Sequence, residues 1–177
     1  MKKSFPLSRV YTLIEPGPVV MVSTALNGRP NVMTLAWHTM IDFEPPLVGC
    51  VISDRNYTFG ILKKTGECVI NIPTPDLGRK AVACGNISGR NADKFGRFGL
   101  TPVKASRVRA PLIDECYANL ECKVADQRMA GRYNLFILEV IRAWIDPRVK
   151  NPGTLHHRGK DIFMLSGKTV RIPSRMK

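Results

Sequence analysis

The stretch VVMVSTALNGRPNVMTLAWHT, from Val19 to Thr39, indicates the fold of this chain. Two apolar runs rich in Val, Met and Thr flank the dipeptide Asn27-Gly28. Both residues tolerate positive φ, so Asn-Gly between two such runs is a strong signal for a tight hairpin. We therefore expect two antiparallel strands joined at this turn, the second of which ends near Trp37.

Further strand-like segments follow this hairpin, and each is bounded by turn residues. A loop around DFEPP would lead into the next strand, PPLVGCVIS, and a later strand is ECVINIP. Strands are expected again at residues 112–129, at residues 134–145 and at residues 161–172. Three short helices are expected at YTFGILKKTGE, which would stop at Gly66, at PDLGRKAVACG and at NADKFGRFG. Antiparallel strands with a few inserted helices predict a closed or nearly closed barrel.

The chain has 177 residues and a formal net charge of +13. This length fits one domain over residues 1–177. A basic chain suggests a nucleic-acid-binding β-barrel as one alternative function, and a purely structural domain is another. The positive charges are scattered over the whole length, and no basic helix or aromatic RNA-binding motif accompanies them. We therefore consider nucleic-acid binding unlikely and expect the charge to favour an anionic cofactor.

The apolar runs are strand-sized, so no membrane segment is expected. The start, MKKSFPLSRVYTL, lacks the continuous apolar run of a secretory signal, and we expect a cytoplasmic protein. Five cysteines without a CxxC pair argue against both a disulfide framework and a structural zinc site. Core packing is the favoured interpretation of these thiols; Cys84 is the candidate for an exposed, reactive one.

The usual catalytic motifs do not occur in the sequence: there is no GxSxG, HExxH, Walker loop or GxGxxG. A metal cluster would have to use His38, His156 and His157, and we expect the adjacent pair to lie in a solvated loop. We therefore assign no catalytic side chain and no metal ligand. If the protein is an enzyme, a cofactor would carry the chemistry.

The segment SDRNYTFGIL has the features of an anion site. Ser53, Arg55, Asn56 and Thr58 lie where a strand ends and a helix opens, and free N–H groups and the helix dipole favour a negative charge there. A second cluster, NISGRNADKF, offers Ser88, Arg90 and Lys94 on a glycine-containing loop. The alternative is that Ser53, Asp54 or Asn56 simply caps the helix.

Several segments together resemble one family. NVMTLAWHT, SDRNYT and SGRNADKF are the most specific, and GECVINIPT, APLIDECYANLEC and LFILEV add to them between about Pro18 and Ile145. They resemble the flavin reductase-like family, and in particular its flavoredoxin-like branch. The resemblance implies a mainly β fold with a few short helices, a six-stranded antiparallel Greek-key split β-barrel that binds FMN and forms homodimers.

The resemblance also implies roles for individual residues. The backbone from Thr34 to Thr39 would run beside the isoalloxazine ring, so Trp37 and His38 would form a wall of the pocket rather than an acid–base pair. We expect His38 to be buried and hydrogen-bonded. The flavin neighbours would be Thr34, Leu35, Ala36 and Trp37; the ribityl-phosphate contacts would be Ser53, Arg55, Asn56 and Thr58; lesser candidates are Ser88, Arg90 and Lys94.

One segment departs from the family pattern. Many of the wider family's flavin reductases have Gly-Asp-His before the strand that is written NLFILEV here, whereas this chain has Arg132 and Tyr133 after Gly131. The sequence therefore supports FMN more strongly than it identifies the electron donor. The donor would be NADH or NADPH, with a redox protein as the other possibility.

Overall fold

The structure is a computed structural model that describes residues 17–170. Seven strands form one antiparallel sheet in the order β2-β1-β5-β8-β9-β4-β3. Their bounds are β1 Val20–Leu26, β2 Arg29–Leu35, β3 His38–Phe43, β4 Pro46–Val51, β5 Glu67–Ile72, β8 Ala118–Asp126 and β9 Leu135–Ile145. Two small hairpins complete the described β-structure: β6 Pro102–Val103 with β7 Leu112–Ile113, and β10 Leu155–His157 with β11 Phe163–Leu165.

Four short helices lie between the strands. They are α1 Tyr57–Thr65, α2 Gly78–Asn86, α3 Lys94–Phe98 and α4 Ala130–Tyr133, and a 3-10 turn at Pro75–Leu77 precedes α2. Gly66 ends α1 in the left-handed conformation with φ 68°, as the sequence predicts. The three helices expected from the sequence are thus present, and α4 is an additional one.

The hairpin predicted at Asn27-Gly28 is confirmed. Both residues have positive φ, 52° and 75°, and Leu26 pairs directly with Arg29 across a two-residue turn. These angles are those of the turn that matches the twist of two antiparallel strands. The turn fixes the register of β1 on β2 over all seven residue pairs.

The two edges of the sheet meet at the end of this hairpin. Strands β2 and β3 lie at opposite edges, yet only Ala36 and Trp37 separate them in sequence. Three peptide units span at most about 11 Å, so Leu35 and His38 must lie close together and the sheet must curl on itself. The Val51 N–H also donates to the Trp37 carbonyl at 2.9 Å and ties this link to the end of β4.

The core lies on both faces of β1. Val20 and Val22 point into the barrel, where they pack with Phe136 and Leu138. The outer face of β1 and β2 packs against α2 and α3, and this second cluster includes Met21, Val32, Ala81, Cys84 and Phe95. The short helices therefore cover part of the outer apolar surface, whereas Met40, Ile41 and Phe43 on β3 remain exposed.

The mainly β fold with few helices is confirmed, and several details differ from expectation. The main sheet has seven strands rather than six, because residues 38–43, which lead into the expected loop around DFEPP, form β3. His156 and His157 lie on β10 and not in a loop, since residues 155–157 pair with residues 163–165. The strand expected over residues 161–172 is limited to β11 within the described range.

Part of the sequence prediction lies outside the described residues. The expectation that MKKSFPLSRVYTL is not a secretory signal concerns residues outside the described range. The last two residues of the expected final strand also lie outside it. Within residues 17–170 none of the helices has the length and apolar character needed to cross a membrane.

Candidate functional site

Two cavities lie side by side where β2 ends and α1 begins. The polar cavity, of about 180 Å³, is lined by residues that include Arg55, Asn56, Tyr57, Thr58, Ser88 and Lys94. The strand-edge cavity, of about 500 Å³, is lined by the run from Met33 to Trp37 together with Val51, Ser53, Asn134 and His157. Met33, Thr34 and Asn56 line both cavities, so the two adjoin each other, and we call them together the cleft.

The cleft brings together residues that the sequence analysis selected from three separate segments. Thr34, Leu35, Ala36, Trp37 and Ser53 line the strand-edge cavity. Thr34 also lines the polar cavity, with Arg55, Asn56, Thr58, Ser88 and Lys94. Arg90 lines neither cavity; its guanidinium lies 5.4 Å from the centre of the Tyr57 ring. Among the described residues, no carboxylate lines either cavity.

Two turns of the same sequence pattern, Ser-x-Arg-Asn, contribute to the polar cavity. In the first turn, Ser53–Asn56, Oγ of Ser53 accepts from the Arg55 N–H at 3.3 Å, and its carbonyl accepts from the Asn56 N–H at 2.9 Å. In the second turn, residues 88–91, Ser88 makes the same two contacts with Arg90 and Asn91 at 3.2 and 3.4 Å. The local contacts of both serines hold each arginine in a defined turn.

The first turn leads directly into the amino terminus of α1. Asn56 is the N-cap residue in extended conformation, and it makes no side-chain capping bond. The alternative that a side chain caps this helix is therefore not realised, because Ser53 Oγ bonds to Arg55 instead. The first N–H groups of a helix without such a cap, and the positive end of its dipole, favour a bound anion.

Asn31 is a buried residue of the polar cavity that the sequence analysis missed. Its Nδ2 donates to Oγ1 of Thr58 at 2.9 Å and to Oγ1 of Thr24 at 3.2 Å. Its Oδ1 is buried without a hydrogen-bond partner among the described residues. Leaving a buried acceptor unpaired costs about 1–3 kcal/mol, so this oxygen calls for a donor from a ligand or a water molecule. Only its place as the first residue of the NVMTLAW segment pointed to it.

Lys94 is a buried cation at the base of the polar cavity. It is 4% exposed, and its Nζ donates to the carbonyls of Val32 and Cys84 at 2.8 and 2.7 Å. Burial lowers its pKa. The two carbonyl contacts tie β2 to the end of α2, so Lys94 also holds the wall of the cavity in place.

The strand-edge cavity follows the free edge of β2. This strand is the outermost of the sheet, so the backbone side that faces away from β1 has no ladder partner among residues 17–170. The Thr34 hydroxyl is turned towards α2, where it donates to the Ala81 carbonyl. Trp37 is 58% exposed and forms a side of the opening. A flat ligand with a polar rim can bind to such a backbone edge.

His38 is hydrogen-bonded and partly buried, in agreement with expectation. Its Nε2–H donates to the Pro18 carbonyl at 2.7 Å, and its ring lies against Gly17, where a Cβ would meet it at 2.6 Å. Burial lowers its pKa, the bond to Pro18 partly opposes this, and the charge of His156 lowers it further. The ring therefore fixes the start of β3 and does not line the cleft.

The segment that departs from the family pattern forms α4. The Arg132 guanidinium lies 5.1 Å from the centre of the Tyr133 ring, and neither residue lines the polar cavity or the strand-edge cavity. Asn134, in the left-handed conformation, does reach the strand-edge cavity, and its Oδ1 accepts from the Asp54 N–H at 3.2 Å. His157 on β10 lies at the same cavity. The sequence analysis missed both contributions, because the two residues reach this site only through the tertiary fold.

All five cysteines are buried free thiols. Burial raises the pKa of Cys84 to about 11, so the candidate for an exposed, reactive thiol belongs to the core instead. Within residues 17–170 no three side chains of metal-binding type come together.

Comparisons with known proteins agree with this geometry. The family model described as flavin reductase like domain matches residues 13–162. The YddH protein of Escherichia coli is 33% identical in an alignment that covers 93% of this chain and 94% of that protein. The structure is similar to the flavoredoxin of Desulfovibrio vulgaris (Miyazaki F), with a TM-score of 0.84 and 27% identity over 97% of both chains. An FMN-binding domain of a flavin reductases-like enzyme from Shewanella baltica OS155 gives a TM-score of 0.83 and 29% identity, also over 97% of both chains. The chain belongs to the flavin reductase-like family.

Proposed function

We propose that this protein binds FMN in the cleft and acts as an oxidoreductase that passes electrons through it. One observation carries the proposal: a cationic cavity at an uncapped helix start adjoins a larger cavity along the outer edge of β2. That combination suits a ligand with an anionic phosphate at one end and a flat ring at the other. The family of the chain and the FMN-binding relative from Shewanella baltica support the same ligand.

The polar cavity fits the phosphate end. Arg55, the first N–H groups of α1 and the hydroxyls of Thr58 and Ser88 would hold the phosphate, and Lys94 adds a positive charge behind them. The absence of lining carboxylates within the described residues favours a dianion. The unpaired Oδ1 of Asn31 is an acceptor that a ligand hydroxyl could satisfy.

The strand-edge cavity fits the ring end. Leu35, Ala36 and Trp37 would flank the ring, and the free backbone edge of β2 would contact its polar rim. Bound FMN would supply reversible redox chemistry that none of the lining side chains can provide. The side chains of the cleft would therefore bind the flavin, orient it and shield it from solvent. We assign none of them a catalytic proton transfer.

NADH or NADPH is the electron donor that we favour. Hydride transfer requires a nicotinamide close to an open face of the ring, and the strand-edge cavity of about 500 Å³ is where that face would lie. The net charge of +13 would attract an anionic dinucleotide. The same charge would attract an acidic redox protein, which is the second candidate donor or acceptor.

Titration with FMN tests the cofactor. We expect the purified protein to be yellow, or to quench the fluorescence of added FMN with a saturable dependence on protein concentration. A colourless protein that leaves FMN fluorescence unchanged and binds oligonucleotides with a steep salt dependence would contradict the proposal and favour the nucleic-acid-binding alternative.

Anaerobic stopped-flow mixing tests the donor. FMN-loaded protein is mixed separately with NADH and with NADPH while the flavin absorption band is followed. Rapid bleaching that saturates with one nucleotide would establish a flavin reductase. If neither nucleotide bleaches the band over minutes while dithionite does, the protein is an electron carrier that is reduced by a partner protein.

We further infer that two copies of the chain pair through β3. This strand lies at the edge of the sheet, and Met40, Ile41 and Phe43 are 52%, 52% and 82% exposed. Exposed apolar side chains on an unpaired edge favour association. Trp37, at the mouth of the cleft, is adjacent in sequence to β3, so a partner on this surface would lie next to the proposed FMN site.

A cytoplasmic location is part of the same proposal. Five free, buried thiols suit a reducing compartment, in which disulfides rarely form.

A further inference from the structure

Asn31 connects the two Ser-x-Arg-Asn turns of the polar cavity. It lies in β2, between the first turn with its helix α1 on one side and the second turn on the other. On the side of α1, its Nδ2 donates to Thr58 at 2.9 Å. On the side of the second turn, its side chain packs directly against the backbone of Gly89.

The contact with Gly89 is close enough to exclude any side chain at residue 89. A Cβ built on Gly89 would overlap Oδ1 of Asn31 and lie 2.8 Å from its Cγ, whereas the Cβ of Asn31 would be 3.6 Å away. The φ of Gly89 lies outside the left-handed region, so the backbone itself accepts an L-residue. Glycine is needed at this position because of Asn31 and not because of the turn conformation. The corresponding position of the first turn carries Asp54.

Asn31 is also held rigidly. It is 4% exposed, and its two hydrogen-bond partners, Thr24 and Thr58, are 0% and 1% exposed. Its amide therefore cannot swing towards solvent without breaking two buried bonds. A rigid side chain that donates to the helix after the first turn and packs against the second turn sets the distance between the two turns.

We propose that Asn31 is a positioning residue that sets the separation of the two turns and thereby the affinity for the phosphate of FMN. The inference rests on the proposed function, since it concerns the same cavity. Asn31 acts through Thr58 and Gly89, which place Arg55 and Ser88 around the phosphate. A ring without a phosphate would not depend on this spacing.

A double-mutant cycle tests the inference. Gly89→Ala pushes the second turn away from Asn31, and we expect it to weaken FMN binding about tenfold. In the Asn31→Ala background the new methyl group meets no atom nearer than the Cβ of residue 31 at 3.6 Å, an ordinary contact. There we expect Gly89→Ala to change the FMN dissociation constant by no more than about twofold. Gly60→Ala on α1, where a Cβ meets no atom within 4 Å, is the matched control.

The readout that separates positioning from general stability is the comparison with riboflavin. The coupling between residues 31 and 89 is expected to be about tenfold for FMN and clearly smaller for riboflavin, because riboflavin keeps the ribityl hydroxyls but lacks the phosphate. Equal coupling for both ligands, or additive losses in the cycle, would overturn the inference while leaving FMN binding intact. Failure of the wild-type protein to bind FMN would overturn the proposed function and this inference together.

The variants are checked for folding by circular dichroism and thermal unfolding. If Gly89→Ala alone does not fold and the double variant folds and binds FMN like Asn31→Ala, the coupling is supported. A double variant as unfolded as Gly89→Ala would overturn it.

Discussion

The Nε1–H of Trp144 donates to Oε1 of Glu121 at 2.8 Å and brings the end of β9 onto a buried carboxylate of β8. The same carboxylate accepts from the Ser106 backbone and hydroxyl and from the Arg107 N–H. Glu121 is 0% exposed, and these donors satisfy both of its carboxylate oxygens. It anchors the loop that connects β6 and β7 to the outer surface of the sheet.

Glu121→Gln is expected to destabilise the protein by about 2 kcal/mol, because an amide N–H₂ would face donors that need an acceptor. Burial raises the pKa of Glu121, but the bonds from Trp144, Ser106 and Arg107 outweigh it and leave the pKa below its ordinary value of 4.5. The stabilisation that the ionised Glu121 carboxylate gives the folded state is therefore complete above pH 4.5. It is lost as the pH falls through the lower folded-state pKa. Urea unfolding of both proteins should show a difference that shrinks in acid. A difference independent of pH would contradict the assignment.

Arg55→Ala is expected to weaken FMN binding about ten- to a hundredfold, since a charge-assisted hydrogen bond contributes roughly 1.5–3 kcal/mol. Riboflavin binding should be nearly unchanged, because Arg55 lies at the polar cavity. Fluorescence titration with both ligands measures the two effects. Arg29→Ala is the matched control, because Arg29 is exposed at the start of β2 and lines neither cavity. Equal losses for both ligands would give Arg55 a structural role.

His38 should make stability depend on pH near neutrality. Its folded-state pKa lies below 6.5, chiefly through burial, so the unfolded chain binds a proton first as the pH falls. Stability should therefore decrease as the pH falls below 6.5 towards the folded-state pKa. His38→Gln keeps a donor for the Pro18 carbonyl and cannot titrate, so its stability should not show this decrease below pH 6.5. Thermal unfolding from about pH 5 to pH 8 measures it, and identical profiles would contradict the prediction.

The native protein should resist thiol reagents. Burial is the main cause of the high pKa of Cys50 and Cys116, about 12 in each case, and Cys84 is raised to about 11. Cys68 and Cys122 face each other across β5 and β8 in the barrel core. Reaction with Ellman's reagent should be very slow before unfolding, and all five thiols should react in denaturant. A thiol that reacts rapidly in the native protein would contradict the burial described here.

Phe43→Asp is expected to convert the proposed dimer into a monomer at micromolar concentration, because a charge on the paired edge would be costly to bury. Phe43 is 82% exposed, so the substitution leaves the barrel core untouched. Light scattering of wild type and variant, both with FMN added, measures the mass. Ile162→Asp, at a 60% exposed position outside the main sheet, is the control. A wild-type protein that is monomeric with FMN bound would exclude pairing through β3.

The elements that could be predicted from the sequence are those whose conformation is determined by residues close together in the chain. Asn27-Gly28 determines its hairpin by its own backbone preferences, and Gly66 ends α1 for the same reason. The first Ser-x-Arg-Asn turn lies next to a helix start in the sequence itself, so its role as a candidate anion site could be predicted.

The features that could not be predicted depend on contacts between distant segments. Nothing local distinguishes Asn31 from an ordinary strand residue, because its importance comes from Thr58 and Gly89. His157 reaches the strand-edge cavity only because β10 is anchored by the Val19–Leu155 backbone bond of 2.6 Å. Strand β3 was missed because it continues beyond a two-residue link instead of starting after a turn.

A ligand bound along the two-residue link of Ala36 and Trp37 would also affect the stability of the barrel. These residues join the two outermost strands of the sheet, and the proposed ring contact uses the same backbone. A ligand that bonds to this link also restrains the seam of the barrel. Release of that ligand would raise the rate of amide hydrogen exchange on both sides of the seam at once, so the cofactor would also serve as a structural cross-brace.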